Sequence, residues 1–317
     1  MRFRTSAPGA LRPAAGAAGA RLQGVLVPSQ VPPPIHEQLL KIGPVVAPGS
    51  TAVLYVPLQQ REPYADVSVT RSERYGTDIR HLLDVFAPAA AGGTRPVLVY
   101  LHGGAFTGGE RRIGDSPFYD NIMLWAVKNG MVGVNMTYRL APQNPWPAAQ
   151  QDVGAVVSWL RQNIAARGGD PERIVLVGHS AGASHVTQYL AHPQFHVAPG
   201  GGVAGAVMLS GLFDTSIAES NLPLQAYFGT DRSLYAPRSA LPGLLVSRVP
   251  MLLAYAELDP PDFHTQSEHA HAALCGAGHR PPLLKLMGHS HMSEVYSINT
   301  ADHALSDALG EFVTSLR

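Results

Sequence analysis

The sequence predicts an α/β fold: a mostly parallel central sheet flanked by helices, with a small inserted cap. Two observations carry this. From Pro96 onward, short apolar runs alternate with segments of helical period, the rhythm of parallel strands joined by crossover helices. Several of these runs are apolar without a break, as strands covered on both faces must be. A chain of 317 residues, 45% of them hydrophobic, suits one large domain with a sizeable core.

The elements follow in order. Met1 to Gly24 carries Arg2, Arg4, Arg12 and Arg21 and no acidic residue. Its most apolar stretch, Ala14 to Ala20, is broken by glycines, whereas a secretory core needs about 7–15 apolar residues. A disordered extension is the expectation, with a targeting leader as the alternative. Ser29 to Pro34 is a proline-rich connector. Residues 1–34 therefore read as a flexible N-terminal extension and 35–317 as the folded domain. Ile35–Ile42 is expected as a short helix, and Asp66–Arg71 and His81–Phe86 as strands, the second stopped by Pro88. Six further strands are expected at Val97–Leu101, Val132–Tyr138, Ile174–Gly178, Gly205–Ser210, Met251–Ala256 and Leu283–Met287. Helices are expected at Asp120–Lys128, Ala148–Ala166, Ala181–Ala191, His264–Leu274 and Thr300–Leu316. In the second of these, Val153, Val156, Val157 and Leu160 share one face, which that helix would bury. Leu222 to Arg248 shows no clear period and holds three prolines; a cap insertion is expected around residues 211–248.

Chemistry enters with Gly178-His179-Ser180-Ala181-Gly182, set between the apolar run Arg173–Val177 and a helical segment. Gly-x-Ser-x-Gly between strand and helix is the pattern of a nucleophile elbow, a turn too tight for side chains beside the serine. The hydroxyl then stands at the head of a helix, where developing negative charge is favoured. Upstream, Leu101-His102-Gly103-Gly104-Ala105-Phe106 closes another apolar run. Its glycines would let backbone N–H groups face an oxyanion. The expected donors are the amides of Gly104, Ala105 and Ala181. The plainer reading of the upstream segment is a glycine turn between strand and helix.

With these two motifs the chain is similar to the α/β-hydrolases, whose catalytic order is Ser, then Asp or Glu, then His. A serine hydroxyl needs a base, and the base needs an orienting acid. The acid should follow a strand, and Met251–Ala256 leads into Glu257-Leu258-Asp259-Pro260-Pro261-Asp262. Asp259 is the candidate, with Glu257 and Asp262 as alternatives. The base should follow the last strand, in Gly288-His289-Ser290-His291-Met292-Ser293. Two residues apart in an extended stretch, His289 and His291 would point the same way. The apolar residue and helical start after His291 favour it, leaving His289 as a loop or supporting histidine.

From about Asp66 to Arg317 the chain resembles one branch of that superfamily in particular, which holds kynurenine formamidases and hormone-sensitive-lipase-like carboxylesterases. Tyr138-Arg139-Leu140-Ala141-Pro142 looks lipase-like, and Glu257 to Ser267 looks formamidase-like. In that branch the catalytic histidine precedes an aromatic or apolar residue and a serine, which maps onto His291, Met292 and Ser293. The resemblance implies hydrolysis of a small-molecule ester through an acyl-enzyme. Two alternatives stand beside it: an arylformamidase acting on formylated aromatic amines, and a non-catalytic ligand-binding member of the fold.

Composition narrows the rest. The formal net charge is zero and charged residues make up 15%, which argues against nucleic acid as a partner. No run approaches the roughly 20 apolar residues of a membrane span. The single cysteine, Cys275, permits no disulfide within the chain, and a cytoplasmic location is the expectation. No cofactor is expected. His269 with His271 and His289 with His291 form His-x-His pairs among 14 histidines, but no carboxylate cluster completes a metal site. A homo-oligomer is compatible with all of this. Phe106, Trp146, Leu212, Phe213, Tyr227 and Phe228 are candidates for apolar lining, and equally for core.

Overall fold

The computed structural model describes residues 24–90 and 92–316; the arginine-rich segment before them lies outside the described residues. Nine strands form one sheet among the described residues: β1 (Val25–Val27), β2 (Val67–Arg74), β3 (Leu82–Pro88), β4 (Arg95–Leu101), β5 (Val132–Met136), β6 (Gly169–His179), β7 (Gly205–Leu209), β8 (Met251–Leu258) and β9 (Leu283–Ser290). Their order is β1-β9-β8-β7-β6-β4-β5-β3-β2. β3 runs antiparallel to β2 and β5. The other pairs are parallel. The helices are α1 (Pro33–Ile42), α2 (Pro48–Tyr55), α3 (Asp120–Lys128), α4 (Ala148–Asn163), α5 (Ala181–Ala191), α6 (Leu222–Phe228), α7 (Leu241–Leu244), α8 (Pro261–Gly276), α9 (Ser293–Tyr296) and α10 (Ser306–Ser315).

The unbroken apolar strands are covered on both faces. Val97, Val99 and Leu101 of β4 share a core with Val153, Val156, Val157 and Leu160 of α4. Leu98 and Tyr100 of the same strand join α3 and α10 in the opposite core. β6 alternates likewise, with Ile174 and Leu176 on one side and Val175 and Val177 on the other. Among the described residues, no helix is long and apolar enough to cross a membrane.

Several boundaries move. β6 starts earlier than expected, at Gly169, and β9 extends to Ser290. The last helix begins at Ser306, not Thr300, because residues 300–305 form turns. Part of the expected N-terminal extension is built into the sheet: Val25–Val27 pairs in parallel with Leu284–Leu286 of β9. Val25 and Leu26 are exposed, so this short edge strand is held by backbone pairing and carries little of the apolar pattern that marks a strand in sequence. The segment expected as a cap, residues 211–248, holds the two short helices α6 and α7.

Parallel strands put the ends of β4, β6, β7, β8 and β9 on one edge of the sheet. After β4 the chain turns outward to β5 and then returns to β6 on the other side. In open α/β sheets ligands bind at the carboxyl ends of strands, near such a reversal.

Candidate active site

Ser180 follows β6 directly and precedes α5, with φ 57° and ψ −123°. A non-glycine residue in the left-handed region is strained, and such strain concentrates at functional sites. The flanking glycines are there for closeness. A Cβ on Gly178 would collide with the Gly182 carbonyl, and one on Gly182 with the Leu101 carbonyl. Leu101 pairs with Gly178 in the β4–β6 register, which sets the elbow against the loop after β4. In that loop Gly104 has φ 137°, and Ala105 and Phe106 also have positive φ. A Cβ on Gly104 would strike the Gly108 carbonyl. The loop is braced from below: the Tyr138 hydroxyl donates to the His102 carbonyl at 2.6 Å, and the His102 ring stacks on Tyr138. Burial pushes His102 down to about 3, so its ring is neutral. Among the described residues, the Gly104 and Ala105 N–H groups find no backbone acceptor. Ala181 opens the buried helix α5, where N–H groups have no intrahelical partner.

Asp259 and His291 come together through strand register. Leu258 of β8 pairs with Ser290 of β9, and each candidate is the next residue. His291 Nδ1 lies 2.6 Å from Asp259 Oδ1, both side chains fully buried. Asp259 Oδ2 accepts from the Ala256 N–H and the Ser210 hydroxyl, each at 2.7 Å. His291 Nε2 is buried with no hydrogen-bond partner among the described residues. The alternatives are engaged elsewhere. Glu257 accepts the Gly288 N–H at 2.7 Å, and Asp262 lies in the cavity wall. His289 does not share the direction of His291, because the chain leaves the strand after Ser290. His289 faces Asp302 at 3.2 Å and Ser293 at 3.2 Å.

Three supporting residues had no sequence signal. Ser210 follows β7 and bridges Asp259 Oδ2 and Glu294 Oε1, at 2.7 Å each. A hydroxyl has one proton, so both contacts form only if one carboxyl supplies another. Burial, reinforced by the charge of Asp259, pushes Glu294 well above the ordinary carboxyl range. Glu294 is thus the protonated one, donating to Ser210, which donates to Asp259. His179, between the elbow glycine and Ser180, donates from Nε2 to the His291 carbonyl at 2.8 Å. Burial holds its ring down to about 4, so it pins His291 without competing for charge. Nitrogens of His179 and His291 and a Glu294 oxygen lie within 4.8 Å of one another, close enough for a metal. His179 Nε2 and His291 Nδ1 already hold hydrogen bonds. Of the His-x-His pairs, His269 faces Asp214 at 3.3 Å and His271 faces Cys275 at 3.6 Å.

Ser180, His291, Gly104, Ala105 and Ala181 open onto one cavity of about 600 Å³. Phe106 and Leu212 line it. Tyr227 instead stacks on Phe106 at 5.1 Å, and Phe213 and Phe228 are buried core.

This fold recurs in known proteins. The profile of the BD-FAE family matches residues 83–195. Esterase B from Lactobacillus rhamnosis superimposes with a TM-score of 0.68 at 17% identity, covering 89% of this chain and 92% of that one. The chain has the α/β-hydrolase fold. Among its sequence relatives, the esterase LipQ of Mycobacterium tuberculosis is 27% identical over 74% of the chain and 59% of its own length. The para-nitrobenzyl esterase of Bacillus subtilis is 33% identical over 51% of the chain and 34% of its own length. The chain thus spans about a third to three fifths of these two curated relatives.

Proposed function

We propose that this α/β-hydrolase is a serine hydrolase of carboxylic esters, with Ser180 as nucleophile, His291 as base and Asp259 as orienting acid. The observation that carries this is His291 itself. Its Nδ1 is held by Asp259 at 2.6 Å, while its buried Nε2 has no partner among the described residues and borders the same cavity as Ser180. The esterase names of its relatives point the same way.

The Ser180 hydroxyl attacks the ester carbonyl and passes its proton to His291 Nε2. Asp259 holds the other ring proton and stabilises the imidazolium. The tetrahedral oxyanion meets the amides of Gly104, Ala105 and Ala181, an arrangement in which one lost donor costs about 10²–10³ in rate. His291 then protonates the leaving alcohol, and water clears the acyl-enzyme by the same route. All of these groups belong to the chain itself.

The test is hydrolysis of p-nitrophenyl butyrate by the wild type and Ser180→Ala, beside labelling with an organophosphonate and turnover of N-formylkynurenine. Ester turnover and labelling that both vanish in a folded Ser180→Ala protein are expected. Faster cleavage of the formamide than of the ester would move the function to an amide hydrolase. An unlabelled, inactive wild type would leave only ligand binding.

A further inference from the structure

The formal charge on the cavity wall is of one sign. Glu219 and Asp262 both line it, and among the described residues no lysine or arginine does. The two residues are in contact: the Glu219 backbone N–H donates to Asp262 Oδ2 at 3.3 Å, and the Glu219 charge acts on the Asp262 carboxyl. Neither carboxyl is paired with a cationic side chain among the described residues, although the buried acids Asp84, Asp120 and Asp152 each hold an arginine. Asp262 is half-buried, and burial together with the charge of Glu219 raises its carboxyl above the ordinary range. Leaving such a carboxylate without a counter-charge is costly.

Position says which part of a substrate meets these groups. Phe263, the next residue after Asp262, lies with its ring 4.5 Å from the His291 ring. His291 hands its proton to the departing alcohol, so the groups packed around it face the alcohol side. The cavity is a built ligand site independently of the acids, because the unpartnered His291 Nε2 is fully buried and opens into it. The Phe263 face adds a surface that attracts an organic cation. Elsewhere Val46, Pro48 and Ile113 make the wall apolar.

We propose that the cavity selects esters whose alcohol portion carries a positively charged amine, with Asp262 and Glu219 as its counter-charges. This rests on the ester-hydrolase reading and names the substrate class within it. Anionic alcohols would meet two carboxylates and be repelled, so the same pair that attracts one class rejects the other.

The test compares butyrylthiocholine with its uncharged isostere, 3,3-dimethylbutyl thiobutyrate, by thiol release. Ser180→Ala serves as the blank. The wild type should favour the cationic ester in kcat/KM, and the preference should shrink with added salt. Asp262→Asn combined with Glu219→Gln should lower the cationic-to-neutral ratio about fivefold, the scale of two partly exposed charge contacts. The loss should fall on the cationic ester, and circular dichroism of the double variant reports whether the fold is intact. Glu219 is exposed, so Glu219→Lys tests the same idea without disturbing the interior and should lower the ratio further. A ratio unchanged in both variants overturns the inference while leaving the ester-hydrolase reading in place. A wild type that cleaves neither thioester, nor p-nitrophenyl butyrate, overturns both.

Discussion

Replacing Glu294 by glutamine tests the proton count around Asp259. Glu294 Oε1 sits 2.7 Å from Ser210 Oγ, and its carboxyl lies within 4.8 Å of a His291 nitrogen. If Glu294 were ionised, it would stabilise an imidazolium at His291 by 332/(20 × 4.8), about 3.5 kcal/mol at an effective dielectric of about 20. Glutamine would remove that help, and the acidic limb of kcat/KM would slide toward lower pH by roughly 2.5 units. If Glu294 carries a proton, as the Ser210 bridge requires, glutamine changes no charge and its amide N–H can replace the lost donor. The expected result is therefore an acidic limb displaced by less than about 0.3 unit, well below the shift that a lost charge predicts. The assay is the pH dependence of kcat/KM for p-nitrophenyl butyrate with both proteins. A limb that falls by a full unit or more refutes the neutral Glu294 and the hydrogen-bond directions drawn from it.

Other perturbations have equally definite outcomes. Gly182→Ala forces a methyl group against the Leu101 carbonyl, so the elbow must shift. Ester turnover should fall at least about 10²-fold, as when an oxyanion donor is displaced, and normal rates in a folded variant would contradict this. His102, His185 and His179 are buried and pushed down to about 3, 3 and 4, so the folded state refuses protons that the unfolded chain accepts below about 6.5. Stability should drop as pH falls from that point toward 4, by up to about 1.4 kcal/mol per pH unit for each histidine. Glu294, raised in the folded state, opposes this with one proton against three. A urea midpoint that stays flat over that range would speak against neutral buried rings. Arg71 holds Asp84 at 3.0 Å and Asp120 at 2.5 Å, two carboxylates that are almost fully buried. Arg71→Ala should cost about 3 kcal/mol by urea denaturation, the low end for a broken buried pair because Arg71 is itself part-exposed.

By itself the sequence determined what depends on local chemistry and periodicity. Gly178 and Gly182, two residues to either side of Ser180 after a valine-rich run, mark a tight turn, because at those two positions the backbone leaves no room for a side chain. Unbroken apolar runs such as Val97–Leu101 announce strands buried on both faces, and β4 is one. Chain order after the elbow narrowed the candidates for acid to Glu257, Asp259 and Asp262 and those for base to His289 and His291, all at or just past the end of a strand. Tertiary structure decided what depends on which strands pair and in what register. Leu258 opposite Ser290 sets Asp259 against His291, while the turn after Ser290 sends His289 to Asp302. Ser210 and Glu294 stand 84 residues apart and meet only because β7, β8 and β9 end on the same edge. β1 is too short and too exposed to show a pattern, and its place comes from unpaired backbone groups on β9. The cavity wall is likewise gathered from distant segments, with Val46, Glu219 and Asp262 brought together over the sheet edge. Period and turn chemistry act over a few residues and are legible in one dimension. Hydrogen-bond partners and counter-charges act through space, and only the fold supplies those distances.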